Sequence, residues 1–180
     1  MYRGNNPTAL TSQKMLLDSL NELLKEKEFK DISVSELCNH SGISRQTFYS
    51  LFGTKENILL YQLESAKFVQ QPHPEDVANM KLMEICERYS NFVISNYEQI
   101  KILIDNELLD LFYTLSYESM SSCKGSFVKL DNDELEYASV FISSGLCRLT
   151  QRYLKEHKIP IQEELTKISY KIMSGNIYRI

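Results

Sequence analysis

Apolar residues recur every three or four positions along most of this chain, which is the spacing that places them on one face of an α-helix. The first such stretch runs from about Leu10 to Glu26 and carries its apolar positions at Leu16, Leu20, Leu23 and Leu24. Charged side chains fall on the opposite face of the same stretch. Because no stretch alternates in the manner of a β-strand, the pattern predicts an all-α protein.

Two short helices are predicted between residues 33 and 51. The run Ser33–Glu36 has a capping-box pattern, so a helix should begin at Ser33. Gly42 suits a turn position with positive φ and should end this helix. Ser44 then caps a third helix that runs to about Leu51.

The rest of the chain has the pattern of longer helices separated by polar breaks. Gly53-Thr54 precedes a fourth helix, predicted from Lys55 to about Val69, and Gln71–Pro74 is the clearest linker. The segment Ser121–Lys129 has the composition of a loop. Further helices are expected over residues 75–95, 97–104, 107–122, 133–157 and 162–174.

Composition and charge limit the classes of protein to which this chain can belong. Apolar residues make up 43% of the 180 residues, with 11 Tyr and 8 Phe, which is enough to bury a core. The net charge of −4 disfavours a nucleic-acid-binding protein when taken alone, but basic and acidic side chains balance from Met1 to Leu60. An acidic body behind a neutral module is compatible with DNA binding that is modest and sensitive to salt.

The four cysteines stand far apart, and none has a second cysteine or a histidine at metal-ligand spacing. We therefore expect no metal and no cofactor. Sparse thiols suit a reducing compartment, and neither a membrane-spanning run nor a signal peptide is visible. These features predict a cytoplasmic protein with no membrane partner.

Residues 33–60 carry the most informative pattern. Ser41-Gly42-Ile43 forms a tight turn between the two short helices, and the apolar side chains on both sides of it should pack together. Polar side chains are left for the exposed face of the second helix, namely Ser44, Arg45, Gln46, Thr47, Tyr49 and Ser50. A major groove accepts such a short face that is rich in hydrogen-bonding groups.

Three runs within this segment resemble the helix-turn-helix of the TetR family of transcriptional regulators. They are Ser41–Ser44, Phe48-Tyr49 and Phe52–Glu56, and they occur in the family's order. The resemblance extends from Leu10 to Leu63, about the first third of the chain. It departs from the family at Leu51, where a histidine is usual.

The resemblance implies a role for each matching position. Ser33, Tyr49 and Lys55 are expected to contact phosphates, which set the register on the duplex. Base edges are expected to be read from the start of the recognition helix, by Ser44, Arg45, Gln46 and Thr47. Simpler interpretations remain for three of these: Tyr49 as a core aromatic, Lys55 as a solvated surface charge, and Ser33 as a helix cap only.

The resemblance also implies a domain organisation and a partner. A three-helix DNA-binding domain over residues 1–54 is expected to precede a helical dimerisation and effector domain over residues 55–180, with the fourth helix, 55–70, connecting them. The expected partners are a palindromic double-stranded DNA operator, a second copy of the chain, and a small-molecule effector.

Spacings of three and four in the last two helices indicate where the two copies would meet. Small and apolar residues repeat there, and family members pair through these helices. The expected interface residues are Ala138, Ile142, Gly145, Leu149, Leu165, Ile168 and Ile172. The alternative is that both stripes simply close the core of one chain.

An effector pocket is expected among the aromatic-rich middle helices. The candidate lining residues are Cys86, Tyr89, Phe92, Leu108, Phe112, Tyr113 and Phe141. Any of them could instead be ordinary core.

An enzyme is disfavoured because the histidines lie in separate elements and no catalytic fingerprint is present. The expected function is a ligand-responsive repressor; the alternatives are an activator of the same family and a helical adaptor that does not bind DNA.

Overall fold

The computed structural model describes residues 1–65, 80–122, 130–157 and 159–177, and within these ranges the chain forms nine α-helices and one short 3₁₀ turn. The N-terminal elements are α1 (Pro7–Leu23), the 3₁₀ turn (Phe29–Asp31), α2 (Val34–Ser41), α3 (Arg45–Leu51) and α4 (Glu56–Ser65). The C-terminal elements are α5 (Leu82–Ser95), α6 (Tyr97–Asp105), α7 (Leu109–Ser122), α8 (Asn132–Glu156) and α9 (Gln162–Met173). The expectation of an all-α protein is confirmed.

The chain divides into two compact units, Met1–Ser65 and Ala66–Ile180. The described part of α4 belongs to the first unit, because Ile58, Leu59 and Leu63 are fully buried there. The division expected from the sequence counts this helix with the second domain, as the connection between the two domains. The predicted end of α4 at Val69, the linker Gln71–Pro74 and the start of the next helix at Glu75 lie outside the described residues.

The N-terminal unit is built around the inner face of α1. Leu16 and Leu20 are completely buried, and Phe29 and Ile32 close the core beneath them. The helix begins three residues before the predicted Leu10, because Asn6 caps it: its side-chain oxygen accepts from the Thr8 and Ala9 amides at 2.9 and 3.3 Å. The following Pro7 has the fixed φ that suits a first helical position, so an Asn-Pro signal was present in the sequence.

The C-terminal unit pairs α5 with α9 and α7 with α8. A buried polar pair joins α5 to α8: the hydroxyls of Tyr89 and Thr150 are 2.6 Å apart, and the Tyr89 hydroxyl also lies 3.1 Å from the Leu146 carbonyl oxygen. Burial raises the pKa of Tyr89 far above its usual value, so this phenol stays neutral. It therefore acts as a fixed hydrogen-bonding link inside the helical bundle.

The junction between α6 and α7 is a backbone feature that the sequence did not predict. The amide of Leu108 donates to the Leu103 carbonyl at 2.8 Å, which closes α6 in the manner of a Schellman motif. This closure needs a left-handed residue, and Glu107 occupies it with φ of 59°. For that reason α7 begins at Leu109 and not at the predicted Glu107.

The other predicted boundaries are close to those observed. Asp131 caps α8 through the Asp133 and Glu134 amides, as the acidic run at 131–134 indicated. The predicted loop 121–129 falls mainly on residues outside the described ranges. Within the described residues no helix has the length and hydropathy needed to cross a membrane.

We predict that Glu107→Gly stabilises the C-terminal unit by roughly 1 kcal/mol, because glycine adopts positive φ without the clash that a Cβ causes. The converse substitution is Gly42→Ala, at a residue with φ of 69°. An added Cβ there meets nothing within 4 Å, so the change introduces backbone strain alone. That change should destabilise by a similar amount. Urea unfolding followed by circular dichroism measures both, and equal stability of all three proteins would contradict the strain argument.

Candidate nucleic-acid interface

The exposed face of α3 is fixed by what the same helix buries. Phe48 is fully buried and Leu51 nearly so, and together they anchor α3 against the core of the N-terminal unit. Arg45, Gln46 and Tyr49 project from the opposite side and are exposed. An α-helix has 3.6 residues per turn. When α3 buries positions 48 and 51, its first turn and residue 49 therefore face solvent.

The turn before α3 is closed by backbone bonds. The Ile43 amide donates to the Cys38 carbonyl at 3.1 Å, and Gly42 adopts the left-handed conformation that this closure requires. The Ser41 hydroxyl is buried and lies 3.3 Å from the Ile43 amide nitrogen. The predicted turn at Ser41–Ile43 is therefore the observed one.

Two serines begin the helices of this module. The Ser33 hydroxyl accepts from the Glu36 amide at 3.1 Å, and the Ser44 hydroxyl accepts from the Thr47 amide at 3.1 Å. Ser44 also lies 2.9 Å from the Thr47 hydroxyl. Both serines thus act as helix caps, and Thr47 is hydrogen-bonded to one of them. Four side chains are expected to read bases. Two of them, Arg45 and Gln46, take no part in these capping bonds.

An ion pair supports the first turn of α2. The Lys27 ammonium binds the Glu36 carboxylate, and this contact holds the pKa of Glu36 below its usual value. A carboxylate in the first turn of a helix also opposes the positive end of the helix dipole. The charge of Glu36 therefore serves α2 itself.

Tyr49 lies on the exposed face with 56% of its surface accessible, which excludes the interpretation as a core aromatic. Its ring meets that of Phe48 edge to face, with centroids 5.2 Å apart. The ring is thus in contact with the core on one side, while most of the residue stays accessible to solvent. Tyr49 is therefore placed where a hydroxyl contact to a phosphate is possible.

The Lys55 side chain binds backbone groups of its own unit. Its ammonium is partly buried against the 3₁₀ turn, 2.7 Å from the Phe29 carbonyl oxygen and 2.8 Å from that of Ile32. A solvated surface charge does not describe this arrangement, and the phosphate contact implied by the family resemblance stays a prediction. A residue-type pattern could not show this arrangement, because the acceptors are backbone atoms more than twenty positions away.

The N-terminal segment lines the same face, which the sequence reasoning missed. The Tyr2 amide donates to the Leu51 carbonyl at 2.6 Å, and the side chain of the buried Gln13 donates to the Tyr2 carbonyl at 3.0 Å. A cavity of about 440 Å³ lies between this segment and α3, lined partly by Gln46 and Thr47. The candidate surface thus extends from α3 toward the start of α1.

The residues expected to line an effector pocket occupy three different environments. Cys86, Tyr89, Phe92 and Phe112 are buried, and the Phe92 and Phe112 rings stack with centroids 6.4 Å apart. Leu108 and Tyr113 are half-buried. Phe141 is 79% exposed, so it lies on the surface of α8 and not inside the core of the unit.

Two open cavities lie instead between α7 and α8. The smaller, of about 230 Å³, is lined by Leu109, Asp110, Tyr113, Ser144, Cys147 and Arg148. The larger, of about 590 Å³, shares Leu109, Asp110 and Arg148 and is mostly polar. Burial raises the pKa of the Cys147 thiol to about 11, so this group is neutral at physiological pH. No cluster of possible metal ligands occurs among the described residues.

The residues expected at the dimer interface differ in how exposed they are. Ala138, Ile142, Leu149 and Ile168 are half-buried, while Gly145 and Ile172 are exposed. Leu165 is completely buried within its own chain, because α9 packs that side toward the core of the C-terminal unit, so it has no surface to offer a partner. Tyr137 and Phe141 were not predicted here, yet both are nearly four-fifths exposed and lie one turn apart on α8.

The geometry of α2 and α3 defines a helix-turn-helix protein: two short helices, a closed glycine turn and a polar second helix with its first turn exposed. Residues 16–61 match the family described as bacterial regulatory proteins, tetR family. Over this segment the chain is similar to that family, whose members are transcriptional regulators. The family resemblance and the all-helical fold predicted from the sequence are both confirmed.

Individual relatives agree with this assignment. A stretch of 58 residues is 40% identical to the HTH-type transcriptional regulator EthR of Mycolicibacterium smegmatis, and it covers 32% of this chain and 27% of that protein. The chain thus matches only about a quarter of the length of this relative.

Solved structures resemble the whole chain in fold. A TetR-family regulator from Streptomyces coelicolor has a TM-score of 0.57 at 16% identity, covering 96% of this chain and 98% of that one. The dihydroxyacetone kinase operon activator DhaS has a TM-score of 0.55 at 16% identity, covering 93% of this chain and 97% of its own. At this level of identity the likeness is one of fold.

Proposed function

We propose that this protein is a cytoplasmic transcriptional regulator that binds a palindromic DNA operator as a homodimer and releases it when a small molecule binds. The observation that carries the proposal is the exposed first turn of α3, where Arg45 and Gln46 project from a helix whose opposite side is locked in the core. A side chain can discriminate between base pairs only when the helix that carries it has a fixed orientation.

Within this surface we assign two kinds of contact. Gln46 can bond the edge of an adenine in bidentate fashion, and Arg45 can bond either a guanine edge or a phosphate. Tyr49, on the same helix, offers a hydroxyl that suits a phosphate oxygen. Ser33 and Ser44 hold the helix ends toward the duplex, where the partial positive charge of an N-terminus favours phosphate.

We propose that the dimer forms through the outer sides of α8 and α9. Exposed apolar side chains gather on these helices, namely Tyr137, Val140, Phe141, Ile161 and Ile172. The half-buried Ala138, Ile142, Leu149 and Ile168 adjoin them. Gly145 has no side chain, and an added Cβ there would meet nothing within 4 Å, so the space beside it is open for a partner helix to approach closely. A symmetric interface that buries such a surface would place two recognition helices on one operator.

We further propose that the effector enters between α7 and α8, at the smaller cavity. Tyr113 supplies an aromatic wall there, Asp110 and Arg148 supply opposite charges, and Cys147 contributes a neutral thiol. A cavity of about 230 Å³ suits a ligand smaller than the drug-sized molecules that fill pockets of 300–1,000 Å³. The ligand would weaken DNA binding by favouring a helix arrangement that no longer matches the operator.

Repression is the simpler output, because occupying an operator needs no contact beyond the DNA itself. Activation is the second candidate, and the fold likeness to DhaS, which is described as an operon activator, favours it. Transcription of an operator-linked reporter in vitro decides between them. Repression predicts less transcript as the protein is added, and activation predicts more.

We predict that Gln46→Ala lowers affinity for the operator by about 1–3 kcal/mol and leaves binding to scrambled duplex unchanged, because only base contacts carry sequence information. Fluorescence anisotropy measures both affinities, with the operator first selected from a random duplex pool. Asn91→Ala, which removes an exposed amide side chain from α5, is the matched control and should bind as the wild type does. An equal loss on both duplexes would contradict the placement of Gln46, and failure of the wild type to bind any duplex would contradict DNA binding.

We predict that Gly145→Glu shifts the protein from dimer to monomer, because a symmetric interface brings the two new carboxylates close together in a desolvated region. Sedimentation velocity at micromolar concentration measures the change. Thr114→Glu adds the same charge to the exposed side of α7 and should leave the dimer intact. A wild type that sediments as a monomer would refute the proposed interface.

We predict that filling the smaller cavity with Ser144→Trp abolishes binding of effector molecules. Small aromatic and aliphatic compounds would be screened by thermal shift, and compounds that stabilise the wild type should fail to stabilise this variant. Thr114→Trp, which adds an indole outside the cavity, is the control and should respond as the wild type does. Compounds that stabilise all three proteins equally would place the effector site elsewhere.

A further inference from the structure

The ammonium group of Lys55 is enclosed by backbone oxygens of the segment that leads into α2. Besides the carbonyls of Phe29 and Ile32, the Lys30 carbonyl oxygen lies 3.4 Å from the nitrogen. These three acceptors match the three N–H donors of an ammonium group. The nitrogen also lies 4.4 Å from the centroid of the Phe29 ring, which adds a cation–π attraction.

Lys55 adds a charged donor to the carbonyls of the 3₁₀ turn and of the residue that follows it. The Ile32 amide donates to the Phe29 carbonyl at 3.2 Å and so closes the turn, and the same carbonyl also accepts from the Lys55 ammonium. The carbonyls of Lys30 and Ile32 lie toward the end of the turn, where a cation opposes its negative pole. Lys55 therefore caps the 3₁₀ turn from a position that is distant in sequence.

We propose that Lys55 is a positioning residue, which holds the DNA-binding module in shape from within and does not bind a phosphate. It immediately precedes α4, and it binds the carbonyl of Ile32, which immediately precedes the Ser33 cap of α2. One side chain thus joins the start of α4 to the start of α2. The inference rests on the proposed function, since the surface that it positions is the one assigned to DNA.

A phosphate contact by Lys55 would require the ammonium to leave all three carbonyls and the Phe29 ring. Those carbonyls would then lose a charged partner, whose hydrogen bonds are stronger than those between neutral groups. Losing these hydrogen bonds would destabilise the folded N-terminal unit. The side chain consequently contributes to binding through the arrangement of α2 and α3, and a displacement of the first turn of α4 would be passed directly to α2.

The two roles differ in their dependence on salt. A cation that neutralises a phosphate releases counterions, so its removal flattens the plot of log affinity against log salt by about 0.9 per contact. A positioning residue weakens binding by a similar factor at every salt concentration. Lys55→Met retains an unbranched chain but has no donor and no charge, and Lys14→Met, on the exposed side of α1, is the matched loss of one cation.

The experiment measures binding to a random duplex at four salt concentrations, together with amide hydrogen exchange at Glu36 and Leu37. We expect Lys55→Met to bind on the order of tenfold more weakly with an unchanged slope, and these amides to exchange on the order of tenfold faster. Lys14→Met should change neither exchange nor slope. A slope lowered by about one per protomer with unchanged exchange would overturn the proposal.

Two further outcomes are distinguished by the same design. If the wild type binds no duplex, the proposed function fails, while faster exchange at Glu36 and Leu37 in Lys55→Met still supports the cap on the 3₁₀ turn. If Lys55→Met does not fold, Lys55→Arg provides the test, because it keeps the charge but replaces the compact ammonium with a planar guanidinium that cannot meet three converging carbonyls. Lys55→Arg should then show the faster exchange, and wild-type exchange would overturn the proposal.

Discussion

Burial of Phe48 and Phe52 in the N-terminal unit is the constraint on which the rest of the helix-turn-helix depends. Both rings are completely inaccessible to solvent, and they lie on either side of the end of α3. Once these two positions are fixed, the rotation of α3 about its own axis is fixed as well. The side chains of the first turn then have only one direction in which to point, which is away from the protein.

Much of this arrangement could be predicted from the sequence. The capping patterns at Ser33, Ser44 and Asp131 each gave the start of a helix to within one residue, because a cap is a local interaction between neighbours in the chain. The turn at Gly42 was equally accessible, since it depends on one residue that tolerates positive φ. Features of this kind need no knowledge of the tertiary structure.

The features that the sequence did not disclose all depend on contacts between distant segments or on an unusual backbone. Lys55 has the same residue type whether it faces solvent, a phosphate or a set of carbonyls. Leu165 and Phe141 are both apolar on helical stripes, and only the packing of α9 and α8 decides that one is core and the other is surface. Glu107 breaks the rule that a left-handed helix end carries glycine, so no pattern marks it.

The hydrogen bond between Ser44 and Thr47 has a consequence for how this surface can change over many generations. Arg45 and Gln46 are exposed and hold no helix cap, so replacing them alters the chemistry of the surface with little effect on folding. A replacement at Thr47 removes a partner of the helix cap at the same time. Divergence among duplicated copies of such a gene should therefore begin at Arg45 and Gln46, and reach Thr47 only when Ser44 changes with it.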